Sequence, residues 1–360
     1  MTEKSLGELL ELFDNAVGVS GYEGEAAQVL FAEARGLYDD YLEDAIGNQV
    51  YHIKGKSGGE AKTKSLLVAA HIDELGFMVS VIEESGLLRF FPIGFHDERL
   101  IINQELAVHT KNGVVCGVTG TKPPHLAKND ELTTFIPVHD MFIDIGVSSK
   151  EEAAKLGVAP GDIVSFARRG HFLNGTCVYS GKSVDNRAGL AVMIEVMRRL
   201  KKENSNTIDL YMVGTVQEEY GCRGALPVAN RIKPDIAIVL DVSIAGDIPC
   251  IDFQAAPVKM GAGACIKFYE STFGSPLGMA VPQKLSSALI RIAEENNIPY
   301  QHDFMLGGIT DGSTINFAAY GILCGGISFP SRYIHSAVGL VRLDDMRACA
   351  DLLVAYIKSL

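Results

Sequence analysis

Long apolar runs are the first thing missing from this chain. No stretch reaches the length of a membrane-crossing helix, so a helical membrane protein is not expected. Paired cysteine motifs are missing too. The seven cysteines are odd in number and none is spaced Cys-x-x-Cys, which sets aside a disulfide frame or a zinc–thiolate knuckle. Such thiols fit a reduced, cytoplasmic protein. Positive charge is in deficit: 32 lysines and arginines face 44 acids, a formal net charge of -12, which argues against a nucleic-acid or anionic-membrane partner. Phosphate-binding loops are absent as well. Gly117-Val118-Thr119-Gly120-Thr121-Lys122 lacks P-loop spacing, and Gly261-Ala262-Gly263 is only a fragment of a dinucleotide turn. No Gly-x-Ser-x-Gly nucleophile elbow, internal repeat or heptad seam occurs. The start, Met1 to Ser5, leads into an acidic amphipathic helix, not a basic and then apolar leader.

What is present suits a globular enzyme. Of 360 residues, 47% are hydrophobic and 21% charged, enough to bury a full core. Leu6, Leu9, Leu10, Phe13 and Val17 recur at helical spacing, and a second helix is expected over 25–38. Ser57-Gly58-Gly59 reads as a loop. Ser65 to Ala70 is a continuous apolar run, the mark of a strand covered on both faces. From Gly76 to about His171 the texture changes to short strand-like runs broken by Gly or Asn-Gly turns, with one short helix capped by Ser148 or Ser149. Helix and strand then alternate to Leu360, with strands at Ile208–Val216, Ile236–Leu240 and Ile322–Phe329. The expectation is an α/β fold: a mostly parallel sheet flanked by helices, formed by 1–75 and 172–360, with a small β-barrel domain inserted at 76–171.

In open α/β sheets the ligand crevice lies outside the carboxyl ends of the strands. Metal-competent residues collect there. His71 and Asp73 follow the strand that starts at Ser65, and Glu218 and Glu219 follow Val216. Asp241 follows Leu240, His335 lies a short loop past Phe329, and Asp185 stands just before a helix starting near Arg187. Two metals in a hydrolytic site need a bridging carboxylate and further nitrogen and oxygen ligands. His71, Asp185, Glu219, Asp241 and His335 suit that count. Asp73 lies two residues beyond His71, on the same side of an extended segment, and can accept the other imidazole N–H. Glu218 and Glu219 would point opposite ways on extended backbone. That leaves Glu218 free to act as a base. Cys222 reads as a small buried hydrophobe.

The segments Val19-Ser20-Gly21-Tyr22-Glu23, Ala70-His71-Ile72-Asp73-Glu74-Leu75-Gly76, Lys122-Pro123-Pro124-His125-Leu126, Phe142-Ile143-Asp144-Ile145-Gly146, Val184-Asp185-Asn186-Arg187, Val216-Gln217-Glu218-Glu219 and Arg332-Tyr333-Ile334-His335-Ser336 run nearly end to end. In their order the chain resembles the tetrahedral (TET) family of dinuclear metallo-aminopeptidases, which includes the glutamyl aminopeptidases. The resemblance implies a co-catalytic zinc exopeptidase fold carrying two divalent ions, zinc first and cobalt as the alternative. It implies His71, Asp185 and Asp241 on one metal, Asp185, Glu219 and His335 on the other, Glu218 as general base and Asp73 behind His71. It also implies short peptide substrates, a dimerisation role for the insert, and dimers building a hollow homododecamer. Two departures stand out: Gly339, where the family often has an acidic residue, and Gly308-Ile309-Thr310-Asp311, where it often reads Gly-Gly-Thr-Asp.

Asp311 is a candidate for binding the substrate's free α-amine or, equally, the N-cap of the helix after Gly312. Arg223 and Lys259 are candidates for the substrate pocket, since an acidic N-terminal residue would want a basic partner. Three rival functions differ in chemistry. A two-metal deacylase or carboxypeptidase on N-acyl amino acids would not need a free α-amine. A glycosidase would need no metal. A binding module without turnover would have lost a ligand or Glu218, and neither is lost.

Overall fold

The computed structural model describes residues 3–56, 64–204, 206–272 and 276–360. Ser57-Gly58-Gly59 lies outside them. Ser5 opens helix α1 (Leu6–Asn15) with a reciprocal cap: its hydroxyl accepts from Glu8 N, and Glu8 reaches back to Ser5 N at 2.7 Å. The face so started buries Leu6, Leu9, Leu10 and Phe13. Helix α2 (Gly24–Ala34) is shorter than the pattern to Tyr38 predicts, because Gly36 turns the chain at φ +74°. Strands β1 (Asp40–Glu43), β2 (Gln49–Ile53) and β3 (Ser65–His71) follow.

The inserted barrel comprises β4 (Gly76–Ile82), β5 (Leu88–Ile93), β6 (Glu105–Thr110), β7 (Gly113–Thr119), β8 (Ile143–Asp144) and β9 (Ile163–Phe166). It closes in the order β4-β5-β8-β7-β6-β9 around Phe77, Leu88, Leu106, Val108, Ile143 and Val164. Asn112-Gly113 makes the β6–β7 hairpin, Thr110 pairing with Gly113 at φ +121°. Helix α3 (Lys150–Leu156) is capped by Ser149, whose hydroxyl accepts from Glu152 N.

Next come β10 (His171–Phe172), β11 (Val178–Gly181), α4 (Val184–Glu203), β12 (Asp209–Thr215), α5 (Ala225–Ile232), β13 (Ile236–Ile244), β14 (Ala264–Ser271) and β15 (Gly278–Ala280). The chain ends with α6 (Gln283–Glu295), β16 (Tyr300–Leu306), α7 (Gly312–Ile315), β17 (Leu323–Ser331), β18 (Gly339–Arg342) and α8 (Leu343–Ser359).

Among the described residues the main sheet runs β1-β2-β12-β3-β13-β17-β14-β15, with β16 also on β14. Its centre, β12-β3-β13-β17, is parallel. Antiparallel pairs at both flanks make the whole sheet mixed. Alternation along β3 decides which core each side chain joins. Leu66, Val68 and Ala70 pack with α1, α4 and α8, while Leu67 and Ala69 pack with α5 and α7. No helix among the described residues is long and apolar enough to cross a membrane.

Two features of the sheet depart from expectation. Strand β13 continues past Leu240 to Ile244 because β17 pairs with it as far as Ser331. Asp241 therefore sits within a strand, not after one. β3 leaves β13 after Ala69–Val239, and the gap so opened lies beside Asp241. Strands β14 and β16 were also not expected, since Lys267, Glu270 and Asp303 interrupt any apolar pattern. All three are buried, and Lys267 Nζ lies 2.7 Å from Asp303 Oδ2.

Where β3 passes into the barrel, the buried Glu74 accepts from Gly18 N at 2.9 Å, pairs with Lys182, and lies 3.5 Å from Arg187. Arg187 in turn donates to Phe13 O, so one carboxylate ties α1, the barrel root and α4 together. Breaking such a buried pair costs roughly 3–5 kcal/mol, since it strands the remaining charge. The joint fixes the barrel relative to the sheet, and the candidate site lies between them.

Candidate active site

Five chain segments bring the acids and imidazoles to one cleft. His71 ends β3, and its Nε2 lies 3.1 Å from Asp185 Oδ1 and 3.9 Å from Asp241 Oδ1. The other oxygen of Asp185 lies 3.5 Å from His335 Nε2, which is also 3.5 Å from Glu219 Oε2. The result is two clusters, His71–Asp185–Asp241 and Asp185–Glu219–His335, each with its ligand atoms within 4.8 Å of one another. They share Asp185. Asp185 can face both because it precedes the regular helix: it and Asn186 have non-helical φ/ψ within the span of α4. Asn186 anchors the bend by donating to Leu240 O at 2.7 Å, next to Asp241.

Asp73 does more than its spacing from His71 suggests. It lies 3.4 Å from His71 Nδ1, while Ser20 donates to it at 2.6 Å and the backbone N–H groups of Glu218 and Glu219 donate at 3.0 Å each. His71 Nδ1 also lies 3.1 Å from the Asp73 carbonyl, so one buried residue positions an imidazole and both glutamates. The glutamates themselves are not on extended backbone. Gln217 takes φ +54° after β12, and a turn from Glu218 to Cys222 carries both side chains to the same cavity. Their roles still separate by neighbour: Glu219 faces His335, whereas Glu218 lies 4.0 Å from His71 and accepts from the Cys222 thiol at 3.4 Å. Cys222 is buried as expected but is a partner of Glu218, not inert filling.

Asp311 stands at the N-cap position of α7 but makes no side-chain cap bond. It is only 1% exposed, with a carboxylate oxygen within 4.8 Å of Glu218 and Cys222. Thr215 donates to its Oδ2 at 2.5 Å, and its Oδ1 has no hydrogen-bond partner. Gly339 is explained by space: a Cβ there would meet Val184 Cγ2 at 2.6 Å, so an acidic residue does not fit.

Several supports carry no signal at the level of site residues. His335 Nδ1 donates to the carbonyl of Phe95, from the barrel side, at 2.7 Å, which makes Nε2 the ring nitrogen that faces Asp185 and Glu219. Glu23 accepts from Gln217 N at 3.1 Å, and Asn48 accepts from Val216 N at 3.0 Å. These bonds hold the turn bearing the two glutamates. Ser20 and Glu23 lie in the Val19–Glu23 segment, whose presence, though not its use, is visible in sequence.

The charge balance favours a cation. Burial pushes Glu218 and Asp241 well above the usual carboxylate range, and raises Glu219 and Asp311 to about 7. For His335 burial opposes charge, yet Glu219 and Asp185 outweigh it and raise it to about 10. For these four acids burial favours the neutral form, while His71 and His335, against their own burial, are pulled toward the charged form by the carboxylates around them, the pattern of a site short of positive charge. Both clusters offer imidazole nitrogen and carboxylate oxygen with no thiolate, a donor set suited to zinc or cobalt. The residues therefore fit a pair of divalent ions.

Comparison with known proteins gives the family. The profile of the M42 glutamyl aminopeptidase family matches residues 47–352. The lysyl aminopeptidase of Pyrococcus furiosus is 30% identical over 98% of this chain and 97% of its own. Among solved structures, an aminopeptidase of the archaeon Desulfurococcus kamchatkensis superposes with a TM-score of 0.91 at 36% identity, covering 99% of this chain and 95% of that one. The Pyrococcus horikoshii TET1 peptidase, described as assembling into a tetrahedron or a large octahedral shell, gives a TM-score of 0.84 at 32% identity, with 98% of each chain covered. The chain belongs to the M42 glutamyl aminopeptidase family and is, with it, a metal-dependent aminopeptidase.

Proposed function

We propose that the protein removes single residues from the free N-terminus of short peptides. One divalent ion, zinc or cobalt, would be held by His71, Asp185 and Asp241, and a second by Asp185, Glu219 and His335. The observation that carries the reading is the pair of clusters joined through Asp185. Bound there, the ions would polarise the scissile carbonyl and lower the pKa of an attacking water. The chain's own groups handle the proton. Glu218 Oε1 is engaged by the Cys222 thiol, leaving Oε2 to take a proton from water and pass it to the leaving amine. Asp73 keeps the His71 ring and the Glu218–Glu219 backbone in register. The Phe95 carbonyl does the same for His335.

A peptide with a free α-amine and the same peptide N-acetylated separate this from the deacylase reading. Cleavage of the blocked peptide should fall by roughly 10⁴-fold, the discrimination of a site built around a polar group. Chelator should abolish cleavage of the free one. Preferred cleavage of the blocked peptide would favour the deacylase, and chelator-resistant activity would exclude metals.

We also propose that residues 76–171 are a dimerisation domain and that dimers assemble into a homododecamer. Val81, Phe91, Val114 and Val118 are exposed on barrel strands, apolar area a partner would cover. A monomeric mass by light scattering at micromolar concentration would overturn this.

A further inference from the structure

We propose that the cavity beside the metal clusters receives an apolar N-terminal side chain, leucine, isoleucine, methionine or phenylalanine, and turns away acidic and basic ones; this rests on the aminopeptidase reading. The cavity measures about 510 Å³ and is two-sided in chemistry. Asp185, Glu218, Glu219, Asp241 and His335 occupy one side, where the reacting groups must lie. Leu100, Val242, Ile244, Met305, Ile309 and Ile334 make most of the remaining side-chain wall apolar, with Asp97, Thr272 and Thr310 as its polar members. Once the α-amine and the scissile carbonyl face the polar side, the substrate's first side chain has this apolar wall as its surroundings.

A glutamyl or aspartyl side chain would find no lysine or arginine on this wall. None lines the cavity among the described residues, and Arg99, beside it, is already held by Asp97. Neither basic candidate from sequence is among the lining residues: Arg223 lies at the Gly221 rim and donates to Tyr220 O, and Lys259 lies over the Phe253 ring. Lys267 is the buried cation next to Met305. It is only 1% exposed, paired with Asp303, and its Nζ is 4.0 Å from Met305 Sδ. Met305 both lines the cavity and covers Lys267, so the ammonium is walled off. A buried carboxylate without a partner is strongly disfavoured.

A lysyl side chain fares little better. Asp97 is the one carboxylate on the wall outside the clusters and the glutamate pair, and Arg99 already holds both its oxygens, with Nε at 2.9 and 3.1 Å. An incoming ammonium would have to displace a guanidinium that fits the carboxylate better.

The test is kcat/KM for leucyl, methionyl, phenylalanyl, glutamyl and lysyl p-nitroanilides with the metal-loaded enzyme. Leucyl or methionyl substrates should exceed glutamyl and lysyl ones by at least about tenfold, the scale on which an apolar pocket discriminates. Ile309→Arg, at a half-buried position, should raise the glutamyl-to-leucyl ratio by at least about tenfold, chiefly through KM. Best turnover of a glutamyl or lysyl substrate would overturn the pocket assignment and leave the aminopeptidase reading standing. An unchanged ratio in Ile309→Arg would likewise overturn it. Failure to cleave any aminoacyl substrate with metal restored would remove that reading, and the pocket with it.

Discussion

Glu218→Gln should lose about 10²–10⁴-fold in kcat while keeping its metal content, because a glutamine amide cannot take a proton from water. The change is nearly isosteric in a packed place. Glu218 is buried against His71 and Cys222, with Asp311 behind it, and burial already pushes it to hold a proton. A neutral amide suits the same buried place, so the fold should not suffer. KM should move little, since substrate is oriented by the two clusters and by the apolar wall. Metal analysis distinguishes the base from a ligand: a fall in bound metal would make Glu218 a ligand, and undiminished turnover would remove it from catalysis.

Much of this site is legible in sequence because of where α/β folds place their chemistry. His71, Glu219 and His335 follow apolar runs that can only be buried strands, and Asp185 precedes a strongly patterned helix. Asp241 is found for a partly mistaken reason, since β13 runs on beneath it. What escapes is chiefly backbone. The carbonyl that fixes His335 belongs to Phe95, and the N–H groups of Glu218 and Glu219 that bind Asp73 carry no residue-specific signal. The strands β14 and β16 escape for a different reason. Their interior charges are partnered, Lys267 by Asp303 and Glu270 by the Thr310 hydroxyl, and a periodicity test counts such residues as solvent-facing. The barrel, by contrast, is visible in outline because its hairpin turns need Gly at positive φ, as at Gly113.

Asp185→Ala should remove both ions at once, whereas Asp241→Ala or Glu219→Ala should each weaken only one. Only Asp185 presents one oxygen to His71 and the other to His335, and so belongs to both clusters. Burial disfavours its charge, but the two histidines outweigh that and hold its carboxyl well below the usual range, which favours the charged form that a bridging ligand needs. A ligand present at a hundred times its Kd stabilises the native state by about 2.7 kcal/mol per site, or roughly 5 kcal/mol for two independent sites. Wild-type protein should therefore gain about that much on passing from chelator to saturating zinc. Asp185→Ala should gain almost nothing, and the single-cluster variants about half. Each variant is its own reference, because losing Asp185 also deprives His71 of a partner in the metal-free state. Denaturant unfolding with and without zinc, paired with metal content by mass spectrometry, gives both quantities. An Asp185→Ala protein that bound two ions and kept the full stabilisation would separate the clusters, and hydrolysis would then need a different bridging group.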